Sequence, residues 1–245
     1  MVITGNNTPC PLYWSVDLHV HTPESTCYSV PGTTTERIVE AALTAGLRAI
    51  AITDHNTAAA VDRVRQVGSR LGLMVFPGIE LSTQWGHVLG IFESDTEISL
   101  IENMIERFGI RSGGRGDATH IAGAGMDEIL RTVNDTGGLA IPAHIDRWPS
   151  GLLHANVPLK DRIRLLSSEY VNAVEITIPF NRSLWNKGQV PNYPRKSACI
   201  QSSDAHAPGE IGRRRVDIAM EKVSLASLRE ALSDYENKII FSDSQ

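Results

Sequence analysis

Cysteine is scarce in this chain: Cys10, Cys27 and Cys199 are the three thiols among 245 residues. So few, odd in number and so widely scattered, they argue against a disulfide framework. Long apolar runs are missing too, and nothing approaches the roughly 18 to 20 residues of a membrane-spanning helix. The opening Met1-Val2-Ile3-Thr4-Gly5 lacks the basic and then apolar order of a signal peptide, so a cytoplasmic location without membrane contact is expected. Neither sign of charge dominates, since 23 Lys and Arg against 28 Asp and Glu leave a net charge of −5. That balance does not suggest a general nucleic-acid coat, although local basic loops around an active site remain open. A Gly-x-x-x-x-Gly-Lys-Ser/Thr loop is absent, so the chain does not bind ATP in that manner by itself. Gly-x-Ser-x-Gly is absent as well, and no serine nucleophile is required. A hydrophobic share of 42% and a charged share of 21% match an ordinary globular protein. The length suits one α/β domain over residues 1–245 with a full core.

Short β-rich runs alternate with amphipathic segments, the signature of βα units around a mostly parallel sheet. Strands are expected at 15–20, 48–53, 74–80, 87–92, 139–143, 173–178, 198–202 and 216–220. Helices are expected near 34–45, 57–71, 97–108, 126–136, 159–168 and 224–235, several of them opened by Thr, Asp or Ser and closed by Gly. The count is that of a barrel.

Six of the eight histidines, His19, His21, His55, His87, His144 and His206, fall at strand edges beside carboxylates. In Asp17-Leu18-His19-Val20-His21 two imidazoles stand two residues apart at the end of an apolar run. In an extended strand they share a face and can converge on one ion. Asp204 and His206 repeat the spacing near the C-terminus, so both ends of the chain feed one site. His21, His55, Glu80, His144 and His206 sit at or just after the C-terminal end of a proposed strand, the face where barrels gather catalytic groups. Six neutral imidazoles brought together without a cation would leave donors and acceptors unsatisfied. A multinuclear metal centre removes that difficulty. His120 and His154, in Gly-rich or loop sequence, read as ordinary surface or hydrogen-bonded histidines.

Five motifs occur in order: Asp17-Leu18-His19-Val20-His21-Thr22, Thr53-Asp54-His55-Asn56, Pro77-Gly78-Ile79-Glu80, Pro142-Ala143-His144 and Ser203-Asp204-Ala205-His206. Together they resemble the PHP family, named for polymerase and histidinol phosphatase, over about residues 14 to 235. The resemblance implies a distorted (β/α)7 TIM-like barrel that hydrolyses phosphate esters with two or three divalent ions, usually zinc, manganese or iron. Carried over by position, His19, His21, Glu80 and Asp204 would hold one ion, Glu80 with His87 and His144 a second, and His55 with His206 a third. Glu80 is then the bridge, a role a carboxylate fills because its two oxygens can span two cations. Where many relatives complete the third set with a histidine, this chain offers Cys27, with Glu24 as the alternative. Asp17 and Asp54 are read as carboxylates accepting the outer N–H of a ligating imidazole, or as simple strand-end or turn hydrogen bonds.

The implied chemistry is in-line attack of a metal-activated water on phosphorus, with His206, Asp204 or a water relaying the proton. Substrate choice falls to two segments. Gly109 to Gly125, with six glycines, Arg111 and Arg115, reads as a mobile flap near the barrel mouth or a plain flexible excursion. Pro179 to Ser197 interleaves Arg182, Lys187, Arg195 and Lys196 with Phe180, Trp185 and Tyr193, cations for phosphates among rings for bases, as a nucleotide or single-stranded nucleic acid needs. Arg213, Arg214 and Arg215 could hold a substrate phosphate bidentately.

A finer similarity, in Gly137 to His144, Gly151-Leu152-Leu153 and Ile211 to Arg215, is to PHP domains associated with large ATPases of DNA maintenance and anti-phage defence. It implies a separate ATPase partner. The favoured activity is a phosphoesterase acting on nucleotides or nucleic-acid phosphodiesters, with a histidinol-phosphatase-like phosphomonoesterase second. An amidohydrolase would want a lysine where Glu80 stands. A degenerate scaffold would have lost ligands.

Overall fold

A curled, mixed α/β sheet organises the computed structural model, which describes residues 12–243. Cys10 and the opening Met1 to Gly5 lie outside the described residues. The chain runs β1 (Tyr13–Val20), α1 (Thr35–Thr44), β2 (Ala49–Ile52), α2 (Val61–Leu71), β3 (Met74–Thr83), β4 (Gly86–Ile91), α3 (Ile98–Arg107), α4 (Met126–Asp135) and β5 (Leu139–Pro142). It continues through α5 (Leu159–Leu166), β6 (Val174–Glu175), α6 (Arg182–Lys187), β7 (Cys199–Ile200), β8 (Arg214–Ala219), α7 (Leu225–Ser233), α8 (Tyr235–Lys238) and β9 (Ile239–Asp243). Among the described residues no helix is long and apolar enough to cross a membrane.

One sheet has the order β5-β4-β3-β2-β1-β8-β9, and β6 pairs with β7 in another. Single backbone bonds tie the two together. The N–H groups of Asn172 and Ile145 donate to the carbonyls of Ala140 and Glu175 at 3.0 and 2.9 Å, and Val20 bridges Ala205 on the other side.

The expectation of a mostly parallel sheet is corrected. β1–β2, β2–β3 and β6–β7 are parallel, whereas β3–β4, β4–β5, β1–β8 and β8–β9 are antiparallel. Thr83 pairs with Gly86 across just Gln84 and Trp85, and so short a link joins antiparallel strands. Three elements, α6, α8 and β9, were not anticipated. Helices of six and four residues are too short for a 3.6-residue period to show.

Two apolar layers line the main sheet. On its outer side Ile50, Ile52, Val75, Ile79 and Leu81 pack with Ile38, Val64, Ile105 and Leu130 from α1 to α4. On its inner side Val16, Leu18, Ala49, Ala51, Phe76, Leu89, Ile91 and Ile141 meet Leu225, Leu228 and Leu232 of α7. Strands β2 and β3 alternate between the layers, as their period of two requires. Strand β1 breaks the alternation: Val16 and Leu18 face inward, Val20 faces outward, and the pairing with β2 shifts register between Asp17 and Val20. That irregularity acts as a bulge. It puts His19 inside directly after Leu18 and leaves Asp17, two residues earlier, on the opposite face.

At β3 a glycine is needed. A Cβ on Gly78 would lie 2.8 Å from the Ile52 carbonyl and from Cγ2 of Thr53. Its absence lets β2 and β3 close up two residues below Glu80.

Candidate metal centre

The loops opening on this end of the sheet carry backbone that most residues avoid. Asn56, His144 and Asp204 have φ of 54°, 29° and 50°, the left-handed region disfavoured for L-residues. Hydrogen bonds impose it. The Asn56 side chain donates to the carbonyls of Asp117 and His120 at 2.8 Å each and accepts from the Ser82 N–H at 3.1 Å. The His144 N–H donates to Glu175 at 2.8 Å.

Four donor atoms converge at the centre. Nε2 of His19 lies 3.1 Å from Nε2 of His21, 3.2 Å from Oε2 of Glu80 and 3.2 Å from Oδ1 of Asp204. Nε2 of His21 lies 3.1 Å from the same Asp204 oxygen and 3.3 Å from the same Glu80 oxygen. Ligands held about 2.0 to 2.1 Å from one tetrahedral ion are about 3.3 Å apart. Five of the six edges of such a tetrahedron are therefore in place.

The far side of each imidazole is accounted for. Nδ1 of His19 faces both oxygens of Glu175 at 3.2 and 3.1 Å; carboxylates accept, so this nitrogen carries a proton and Nε2 is the one left for a cation or a second proton. Nδ1 of His21 donates to Oγ of Ser25 at 3.0 Å, and that hydroxyl donates to Asp54 at 2.7 Å while accepting the His55 N–H at 3.1 Å. Glu175 and Ser25 were missed from sequence. A lone carboxylate inside the apolar Val174-Glu175-Ile176 was the available signal for the first.

Glu80 divides its two oxygens. Oε2 faces His19, His21 and Nδ1 of His55, the last at 3.0 Å, while Oε1 faces Nδ1 of His87 at 2.8 Å and Nε2 of His144 at 3.0 Å. His87 opens β4 rather than ending a strand, and it reaches the site because β4 runs antiparallel to β3. Among the described residues three donor groups are close enough to hold an ion: His19, His21, Glu80 and Asp204; His55, Glu80 and His87; and His21, His55 and His206. Nδ1 of His55, Oε2 of Glu80 and Nδ1 of His87 are buried without a hydrogen bond, although neighbours stand 2.8 to 3.0 Å away. Lone pairs aimed at a common point rather than at each other are what a cation satisfies. The residues fit the group that their pattern implies.

Charge reinforces the geometry. Burial is the strongest influence on His19 and His21 and acts downward. Against it, Asp204, Glu175 and Glu80 raise the pKa of His19, and the adjacent carboxylates of Asp204 and Glu80 raise that of His21 to about 9. Burial acts upward on Glu80 and Asp204, yet the imidazoles, His19 foremost, hold both well below the usual carboxylate range. His55 moves the other way, pushed by desolvation to about 3 despite Glu80. A pocket that draws protons onto His19 and His21 is one where a cation competes with those protons.

Several expected residues sit elsewhere. Asp17 does not touch an imidazole ring: beyond the bulge it accepts the N–H groups of Ser203 and Gly212 at 3.0 and 2.9 Å, and burial raises its pKa to about 6. Asp54 acts on His21 through Ser25, its own oxygen being 4.0 Å from the ring. Cys27 is exposed and outside all three donor groups, its thiol raised to about 11 by desolvation and then by Glu80, Asp204 and Asp54. The turn over Thr22 to Tyr28 points Ser25 inward in its place. Glu24 pairs with Arg63 at 2.5 Å.

Arg182 packs on Phe241, 4.6 Å from the ring centroid, and donates to the Ile239 carbonyl, away from the donor groups. Arg195 secures carbonyls after α5, including Ser168 and Val171. Trp185 and Tyr193 belong to the core. Arg213 approaches Glu210 at 3.5 Å, Arg214 donates to the Thr177 carbonyl at 2.8 Å, and Arg215 donates to Ala45 at 3.2 Å.

The glycine-rich segment is tied to the site. The Gly116 N–H donates to His55 and its carbonyl accepts from Thr26, both at 2.9 Å, while a Cβ there would lie 2.1 Å from the Glu24 carbonyl. His120 and His154 stand outside the donor groups. Sequence reasoning also missed Arg147, which holds the second oxygen of Asp204 at 2.5 Å.

The chain belongs to the PHP domain family, whose model matches residues 17–235. It is 32% identical over 145 residues to the 5'-3' exoribonuclease Rnm of Salmonella typhimurium, covering 54% of this chain and 47% of that one. It is 36% identical over 81 residues to a phosphoribosyl 1,2-cyclic phosphate 1,2-diphosphodiesterase of Eggerthella lenta, covering 31% and 29%. The chain thus spans about half or less of the length of the curated relatives it matches. In fold it is similar to the lesion-specific endonuclease PfuEndoQ from Pyrococcus furiosus, with a TM-score of 0.73 and 18% identity over 96% of this chain and 60% of that one. It is also similar to an amidohydrolase from Chromobacterium violaceum, with a TM-score of 0.59 and 15% identity over 92% and 97%.

Proposed function

We propose that this chain is a metal-dependent phosphodiesterase of nuclease type, acting on nucleotides or single-stranded nucleic acid. The observation that carries the reading is the split of Glu80 between two sets of imidazoles, the arrangement a two-cation phosphoesterase needs. His19, His21, Glu80 and Asp204 would hold one ion, Glu80, His87 and His144 a second, with His55 able to serve the same oxygen as the first, and His55 and His206 a third. Zinc, manganese or iron suits imidazole donors better than magnesium. Bound cations lower the pKa of water and neutralise phosphoryl oxygens.

The chain's own residues supply the rest. Glu175 and the Ser25–Asp54 pair fix the tautomers of His19 and His21. Arg147 orients Asp204. Nδ1 of His206 lies 2.9 Å from the Asp204 carbonyl, so it donates there and leaves the lone pair of Nε2 to the site, where it would hold the third ion or, without that ion, take a proton from the attacking water and hand it to the leaving oxygen. The nuclease relatives support a polynucleotide substrate, and the cyclic phosphodiesterase supports a phosphodiester in general; histidinol-phosphatase-like monoester hydrolysis is the second reading. The finer resemblance adds a separate ATPase as a partner to be sought. The test is to measure bound metal and to compare hydrolysis of single-stranded RNA, single-stranded DNA, bis(p-nitrophenyl) phosphate and a phosphomonoester by native and Asp204→Ala protein. Turnover of a diester that disappears in the variant supports the reading, and turnover that survives ends it.

A further inference from the structure

Among the described residues the two most exposed large hydrophobic side chains are both aromatic, Trp148 at 77% and Phe180 at 89%. Single exposed apolar residues are ordinary, but these two lie on consecutive loops after β5 and β6, at the end of the sheet that holds the donor groups. Asp146 joins the loops: its carboxylate accepts the Thr177 N–H at 2.6 Å, the Thr177 hydroxyl at 2.8 Å and the Ile178 N–H at 3.1 Å. The indole is braced but not covered. His154 meets it edge-on at 81° with centroids 5.2 Å apart, a contact that shields at most one ring face.

Directly before Trp148 stands Arg147, whose guanidinium holds Asp204 and whose side chain is 38% exposed. A guanidinium has five N–H donors in a planar fork, and Asp204 engages one of its nitrogens. A cation next to the ion-binding pocket, followed by an open ring with a second ring across the loop junction, is the alternation that phosphates and unpaired bases require. Keeping two large rings in water leaves their apolar surface unburied, which a folding role does not explain.

We infer that Trp148 and Phe180 form a base-stacking subsite beside the metal centre, with Arg147 holding the adjoining phosphate. The ligand is an unpaired nucleobase attached to a phosphate, either in a single strand or in a free nucleotide. Bases inside a duplex already have their faces stacked, so double-stranded nucleic acid is not expected here. This inference rests on the nuclease reading above and narrows it.

The test uses the whole manganese-loaded chain with two single-stranded hexamers, one carrying bases and one with abasic sugars at every position. Native protein should prefer the base-bearing hexamer. Trp148→Ala combined with Phe180→Ala should cut the ratio of the two kcat/KM values by about tenfold or more, through KM, since base stacking is worth about 1 to 3 kcal/mol per base. Trp148→Phe should keep most of the preference and Trp148→Leu should not, which separates a ring from mere apolar area. Melting temperature and bound metal check that each variant folds. Competition by a 5'-mononucleotide as tight as by the hexamer identifies a free nucleotide as ligand, and competition by the hexamer alone identifies a strand. An unchanged ratio in the double variant, with oligomers still cleaved, overturns the stacking subsite and leaves the nuclease reading standing. Failure of native protein to turn over either an oligomer or a nucleotide removes both.

Discussion

The inner and outer halves of the donor cluster share histidines but not support. Around His19 and His21 there are two carboxylates in the pocket and a carboxylate or hydroxyl behind each ring, all of them buried but Asp204, which is half-buried. The set of His21, His55 and His206 consists of imidazoles alone, with Glu80 reaching only its His55 member, at 3.0 Å; His206 is partly open to solvent, and the thiol of Cys27 is protonated. Affinity for a cation depends on anionic donors and on the groups that orient the rings. On the proposed reading the inner half is expected to retain an ion more tightly than the outer half.

Glu80 belongs to both halves, so its loss should have the largest effect. Glu80→Ala is expected to lower kcat/KM by at least about 10³-fold, about 4 kcal/mol of transition-state stabilisation, and to reduce bound metal, read by elemental analysis. Next comes the support behind His19. Glu175→Ala should weaken metal affinity about 10- to 100-fold in a chelator titration; unchanged affinity would show that the inner half owes its strength to the pocket oxygens alone. His206→Ala removes an outer ring and should cost less than either, leaving inner-site metal content intact; equal losses of metal in all three variants would erase the contrast between the halves.

A pH experiment sharpens the same point. His21 has a folded pKa of about 9 against an ordinary 6.5. The stability it contributes to the metal-free chain is fully present below about 6.5 and is lost as pH rises through about 9. In chelator, the melting temperature should fall across that window for native protein and fall less for His21→Gln. Added metal should flatten the native curve, because an ion then takes the place of the proton. The smallest effect belongs to Cys27. With a pKa of about 11 its thiolate fraction at pH 8 is about one in a thousand, so alkylation by iodoacetamide should be slow despite exposure. Cys27→Ser should leave activity within about twofold.

Glu80 and most of the residues the structure gathers around it were legible because their signals are local. His19 and His21 stand two apart, Asp204 and His206 repeat the spacing, and Glu80 ends an apolar run; each pattern survives without knowledge of the fold. Ser25 and Arg147 were not legible, since each matters through a partner 4 or 57 positions away and has no pattern of its own; Glu175, 156 positions from His19, left only a lone carboxylate in an apolar run as its signal. Arg182 misled for the converse reason: a cation beside aromatic residues looks the same whether it faces a ligand or Phe241.

What the sequence determined by itself is chemistry: imidazoles and carboxylates too many to bury without a cation, carried on alternating strands and helices. What the tertiary structure decided is direction. The irregularity in β1 turned His19 in and Asp17 out, and the two-residue link after β3 reversed β4 so that His87 arrives at the same mouth. The turn at Thr22 to Tyr28 chose Ser25 over Cys27. Each choice depends on backbone pairing between distant segments, and the energy that settles it resides in those contacts rather than in the identity of the residues they orient.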